Sequence, residues 1–208
     1  MKTLGLIGGI SPESTAIYYR LLNEAARARL GPRRSAPLLI WSFDFGVIDD
    51  AYARSDFETY RTRMVEAGLA LKRAGAEGLL ICSNTSHLAA DAVRAAAGLP
   101  LIHIVEALAA ELERRRSRRP LLLGTKHVMP APFYRDALLE RFGIETLAPG
   151  DADLEEVERI IFEELALGTV RARSRQALID MIGRAAGADG VILGCTELSL
   201  ILGPEHTN

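Results

Sequence analysis

The chain has 208 residues, 49% of them hydrophobic, and a formal net charge of −2. That length holds one domain or two compact ones with a real core, and the near-neutral balance gives no case for a nucleic-acid partner. No apolar run reaches bilayer-spanning length, so no membrane partner is expected. Met1-Lys2-Thr3 leads straight into a strand-like run, and there are only two cysteines, which predicts a cytoplasmic chain with reduced thiols rather than a disulfide frame.

In chain order, Leu4-Gly5-Leu6-Ile7 reads as a buried strand closed by Gly8-Gly9. Ser11-Pro12-Glu13 then opens a helix: a serine cap, a proline suited to the first helical position and an acid that complements the dipole. The helix is expected to run to about Leu30 and end at Gly31-Pro32. Pro37 to Phe45 reads as a second strand, followed by a loop through Ile48-Asp49-Asp50-Ala51-Tyr52. A helix carrying Met64, Leu69 and Leu71 leads to the strand Leu79-Leu80-Ile81, and Ser86 to Ala97 forms the next helix. Leu101 to Arg116 reads as a linking strand and helix, and Pro120 to Gly124 as a strand with a glycine turn.

Two stretches nearly repeat each other. Ala74-Gly75-Ala76-Glu77-Gly78 leads through Leu79-Leu80-Ile81 to Cys82-Ser83-Asn84-Thr85, and Ala186-Gly187-Ala188-Asp189-Gly190 leads through Val191-Ile192-Leu193 to Gly194-Cys195-Thr196-Glu197. Phe133-Tyr134-Arg135 similarly echoes Tyr18-Tyr19-Arg20. Gly9 and Gly124 lie 115 residues apart, Gly75 and Gly187 112; matches at nearly one offset indicate a duplicated unit. Alternating strands and helices imply parallel sheets with right-handed crossovers. The expected fold is therefore α/β: two flavodoxin-like halves, residues 1–100 and 101–203, with a short tail over 204–208, a pseudo-two-fold relation and a site in the cleft between them.

A buried parallel strand delivers functional residues at its carboxyl end. Cys195 lies eight residues after Gly187, and eight residues after Gly75 lies Ser83, not Cys82. A one-residue slip reverses the face of a strand residue, so Ser83 is the counterpart of Cys195, and Cys82 reads first as a small buried hydrophobe and only second as a catalytic group. Cys195 precedes Thr196-Glu197, where the next helix should begin, a setting expected to lower a thiol's pKa. Gly5-Leu6-Ile7-Gly8-Gly9 fits neither dinucleotide nor Walker patterns. None of His87, His103, His127 and His206 stands at a zinc spacing from the cysteines, so no metal is expected. His87 reads chiefly as a satisfied structural histidine. The arginine-rich run Arg114 to Arg119 reads as a solvated helix end.

The segment Gly5 to Thr15 with Tyr18-Tyr19-Arg20, the motifs Cys82-Ser83-Asn84-Thr85-Ser86-His87 and Gly194-Cys195-Thr196-Glu197-Leu198, and Gly124-Thr125-Lys126 with Phe133-Tyr134-Arg135 together resemble the aspartate/glutamate racemase family, in particular its broad-specificity amino-acid racemase branch. The resemblance also covers Ile161 to Leu165 and Ser174-Arg175. It implies a cofactor-independent isomerase, assembled as a homodimer, in which two residues move a proton on and off opposite faces of an amino acid's α-carbon. Carried over by position, these are Cys195 and Ser83, the latter where the family usually has cysteine. Ile10, Tyr52, Asn84, Thr85, Thr125, Thr196 and Glu197 fall at positions implied to hold the substrate.

Three departures qualify this. Serine is a weaker base than a thiolate, the stretch Ile48 to Tyr52 lacks an arginine where some members bind a distal carboxylate, and the chain stops soon after Leu202-Gly203-Pro204, where members usually continue. Alternatives are a single-cysteine decarboxylase or isomerase of a small dicarboxylate, and a non-catalytic amino-acid-binding paralogue.

Overall fold

Leu4–Gly8 forms β1, buried from Gly5 onward, in a computed structural model that describes residues 1–126, 128 and 133–206, and only the backbone of Asp49, Tyr52 and Ala53. These residues fall into two units, Met1–Ile104 and Val105–Asn208.

In the first unit α1 spans Pro12–Leu30; the Ser11 hydroxyl accepts the Ser14 N–H and Gly31, at φ 109, closes the helix. Strand β2 covers only Leu38–Ser42, shorter than the sequence suggests. The Asp44 carboxylate accepts the Gly46 N–H at 3.0 Å, a local bond that turns the chain, and α2 starts at Phe45 and runs to Ala53. The stretch 48–52 is therefore helical, not a loop. Helix α3, Phe57–Arg73, is capped by Asp56 and buries Tyr60, Met64, Ala67, Gly68 and Leu71. Strand β3 spans Gly78–Ile81. The helix expected from Ser86 begins instead as a 3-10 turn, Thr85–Ala89, and becomes α4 over Ala90–Ala97. Strand β4, Leu101–Ile102, pairs with β3.

All four strands are parallel in the order β2-β1-β3-β4, the arrangement of flavodoxin-type sheets. The core joins Ile7, Leu79 and Ile81 to Met64, Ala67, Leu71 and Val93. Gly68 lets α3 and α4 approach, since a Cβ there would lie 2.8 Å from Val93 Cγ1.

The second unit follows from α5, Ile104–Arg115, into β5, Leu121–Leu123. Helix α6 spans Arg135–Phe142, so Phe133-Tyr134-Arg135 stands at a helix start whereas its echo Tyr18-Tyr19-Arg20 lies inside α1. Helix α7, Asp151–Arg159, widens into a π turn at Ile160–Glu164. Helix α8 covers Ala172–Arg184 and β6 Val191–Leu193. Strands β5 and β6 are parallel, with a further parallel bridge from Leu121 to Leu147. Leu121, Leu123, Val157, Ile160, Leu178, Met181 and Leu198 build this unit's core.

The repeated acid has one job in both units. Glu77 accepts the Thr3 N–H just before β1 and donates its own N–H to the Thr3 carbonyl. Asp189 accepts the N–H groups of Arg118 and Arg119 and the Ser117 hydroxyl just before β5. Burial works against the charge on Asp189, but these donors hold its carboxyl below the usual range. Each acid thus fixes where a neighbouring strand begins, and so where that strand delivers its end.

Candidate active site

In the first unit Ile7 pairs with Ile81, and the Cys82 N–H donates to the Ile7 carbonyl at 2.9 Å. Gly8-Gly9-Ile10 and Cys82-Ser83-Asn84 therefore leave the sheet side by side. Gly9 needs its positive φ of 79, and a Cβ there would run into the Phe43 backbone. Its N–H donates to Thr15 Oγ1 at 2.9 Å, and that hydroxyl donates to the Ser11 carbonyl at 3.0 Å. The β1–α1 turn is thereby locked, with half-buried Ile10 packed on the core.

Cys82 is 1% exposed. Its carbonyl accepts the Ser14 hydroxyl at 3.0 Å, and burial pushes its thiol up to about 12, so it stays protonated at neutral pH. Burial, with the neighbouring Cys82, also raises the Tyr18 phenol. Ser83, Asn84 and Thr85 are half-buried. Asn84 Oδ1 is buried without a hydrogen-bond partner among the described residues, a state that costs about 1–3 kcal/mol unless a donor arrives.

His87 is 3% exposed. The Ile104 N–H donates to its Nε2 at 3.1 Å, and its Nδ1 lies 2.8 Å from the Ser83 carbonyl. An Nε2 that accepts carries no hydrogen, so Nδ1 is the donor to Ser83. Burial first, then the neighbouring His103, lowers its pKa to about 4, against the opposing pull of nearby backbone carbonyls.

The second unit repeats the layout. Leu123 pairs with Leu193, and the Gly194 N–H donates to the Leu123 carbonyl at 2.6 Å. Gly194 is required here: a Cβ would lie 2.9 Å from both that carbonyl and Leu122 Cδ1. Thr125 is buried on the β5 end, and Cys195, Thr196 and Glu197 are half-buried on the β6 end. By register Cys195 stands two residues beyond the last paired residue of β6, and Ser83 two beyond the last of β3; Cys82 aligns with Gly194.

The Cys195 thiol donates to Glu197 Oε2 at 2.9 Å, and the Thr196 hydroxyl donates to the same oxygen at 2.9 Å. The expectation of a lowered thiol pKa is overturned. Burial, then the Glu197 carboxylate, raises it, outweighing the Thr196 and Glu197 backbone N–H groups that pull it down. The helix expected to help is only a five-residue 3-10 turn, Thr196–Leu200. Cys195 is thus a protonated thiol in contact with a carboxylate. Sequence reasoning placed Glu197 on the substrate and missed this contact, whose signal was an acid two residues past a strand-end cysteine. It also missed what His87 holds.

The Tyr52 side chain and His127 lie outside the described residues. Among the described residues no cluster of histidine, cysteine and acidic side chains could hold a metal ion, and no helix is long and apolar enough to cross a membrane.

The family model for Asp/Glu/Hydantoin racemase matches residues 7–207. Two glutamate racemases, from Glaesserella parasuis and from Synechococcus, are each 28% identical, over 59% and 60% of this chain, and the matches span 45% and 44% of those proteins, less than half their length. A Yersinia pestis structure solved as a candidate Asp/Glu racemase is 43% identical, with a TM-score of 0.94 over 99% of this chain and 90% of its own. An aspartate racemase homologue from Pyrococcus horikoshii OT3 is 38% identical, with a TM-score of 0.87 over the same shares, 99% and 90%.

Proposed function

Because this chain belongs to the Asp/Glu/Hydantoin racemase family, we propose that it is an amino-acid racemase that needs no cofactor and works by 1,1-proton transfer at the α-carbon. Cys195 serves one face of that carbon and Ser83 the other. The observation that carries this reading is their shared register: each stands two residues past the last pairing of the second strand in a parallel pair, half-buried directly after a buried residue.

The chemistry follows from the partners. Glu197 takes the Cys195 thiol proton, and the resulting thiolate removes the α-proton of one enantiomer. The Ser83 hydroxyl relays a proton from water to the opposite face. The Glu197 proton then passes through solvent to the hydroxide that water leaves; in the reverse direction Ser83 and water accept the α-proton, the protonated Cys195 donates, and Glu197 is reprotonated from solvent and returns its proton to the thiolate. Backbone N–H groups at Thr196 and Glu197 spread the carbanion's charge through the substrate carboxylate. Asn84 Oδ1, without a partner among the described residues, accepts from the substrate ammonium, while Ile10, Thr85 and Thr125 shape the pocket. With serine in place of a second thiol, turnover is slow in both directions, because two enantiomers have equal free energies in an achiral medium. The assembly that suits this family resemblance is a homodimer.

The test is incubation with L-aspartate, L-glutamate and a panel of other L-amino acids in D2O, following the α-proton signal by NMR. Signal loss with appearance of the D-enantiomer for at least one amino acid is expected; no exchange on any of them, with none restored by Ser83→Cys, overturns the reading.

A further inference from the structure

We propose that His87 is a positioning residue that fixes the Ser83 peptide by tying it to Ile104, the residue that opens α5 and closes the first unit. The role rests on the reading of Ser83 given above; the tie itself stands on geometry.

Three observations carry it. The ring of His87 is buried between two backbone groups from different elements: the Ser83 carbonyl at 2.8 Å and the Ile104 N–H at 3.1 Å. The first N–H groups of a helix have no partner within it, and Nε2 supplies one for α5 in the way a capping side chain does. That bond fixes the tautomer, because only an unprotonated Nε2 can accept, and so obliges Nδ1 to donate to Ser83. The turn that carries the ring is itself pinned, by a 2.6 Å hydrogen bond between the Tyr60 and Ser86 hydroxyls. From this 3-10 turn His87 reaches back to the strand end and forward to Ile104 at once.

The titratable group that acts on His87 is His103, whose ring packs edge-on with centroids 4.8 Å apart. Protonating His87 would place a hydrogen against the Ile104 N–H and a cation at a helix N-terminus, both unfavourable. The Nδ1–H to Ser83 survives protonation, but the ring loses its anchor on Ile104, so the Ser83 peptide is no longer tied to the start of α5.

The first readout needs no substrate. In the full-length protein, ring ¹⁵N shifts of His87 at pH 7 are expected to show the Nδ1–H tautomer, and the Asn84 amide, which shares the Ser83 peptide group, is expected to move in step with the ring's titration well below pH 6. An Nε2–H tautomer, a ring that titrates as a solvent-exposed histidine, or an Asn84 amide indifferent to it overturns the proposal.

The second readout separates positioning from packing. His87→Gln keeps an acceptor near the Nε2 position but loses the donor to Ser83, whereas His87→Asn keeps a donor at the Nδ1 position. His87→Gln should lower kcat about tenfold to a hundredfold with KM within about twofold, the scale of a misplaced reacting group, and His87→Asn should recover most of that loss even where its melting temperature is the lower of the two. Equal kcat in both variants, or losses that follow melting temperature alone, sinks the proposal. A wild-type protein inactive on every amino acid would instead sink the racemase reading and leave the spectroscopic arm to decide the tie.

Discussion

At Cys195 two influences oppose each other on one sulfur. Backbone N–H groups of a short turn favour the thiolate, while burial and the Glu197 carboxylate favour the thiol, and the second pair wins. Glu197→Gln removes one member of that pair. Its Cys195 thiol should therefore alkylate at lower pH than the wild type, by about tenfold in rate at fixed pH for each unit the thiol pKa falls. Iodoacetamide labelling with peptide mapping reads this directly, and an unchanged or higher alkylation pH would show that the carboxylate does not act on the thiol. The register of Ser83 with Cys195 was legible in the sequence because strand residues alternate faces and counting from a repeated glycine fixes the face. The Cys195–Glu197 contact was not legible, since it depends on two rotamers meeting beyond a strand end, and neither periodicity nor spacing reports that. The same holds for His87: its burial could be guessed, but its partners lie 4 and 17 residues away in different elements.

Among the elements, the strands and most helices follow from short-range physics: glycine turns, a serine cap with proline after it, and apolar runs bounded by breakers. Misread segments are those where a local turn interrupts the run. Asp44 turns the chain between β2 and α2, and a 3-10 turn carrying Ser86 and His87 precedes α4. Two consequences belong at this scale. Gly194→Ala pushes a methyl group against the Leu123 carbonyl and Leu122 with a backbone that cannot yield, and should destabilise the protein by about 1–3 kcal/mol in chemical denaturation, the usual penalty for overpacking. A neutral effect there would mean that β5 and β6 are not held as closely as described. His87 binds fewer protons folded than unfolded between its lowered pKa of about 4 and the ordinary histidine value. Stability from this group is therefore complete above about pH 6.5 and is lost as pH falls toward 4, by on the order of 3 kcal/mol. Urea midpoints across that window should show a steeper pH slope for the wild type than for His87→Gln; matching slopes would contradict the neutral, buried ring.

For the molecule as a whole, duplication is the organising fact. Each unit has its own core, its own parallel strand pair and its own acid that sets where a strand begins, and each pair ends in one half-buried proton-bearing side chain. That plan was readable from two near-identical stretches of sequence. The resemblance to racemases points to the proposed reaction, and the structure adds the partners: a carboxylate on Cys195, an imidazole behind Ser83 and a buried Asn84 Oδ1 with no partner among the described residues. The central claim is that two different residues exchange protons with the two faces of one carbon. Early-time label in D2O tests it most directly, starting separately from each enantiomer of the best substrate. Two residues predict that the newly formed enantiomer carries α-deuterium from its first appearance while the remaining starting material keeps its α-protium, from either direction, with the effect abolished in Cys195→Ala and strongly reduced in Ser83→Ala. Product that retains the original α-proton, or label entering both enantiomers equally from the outset, would contradict it.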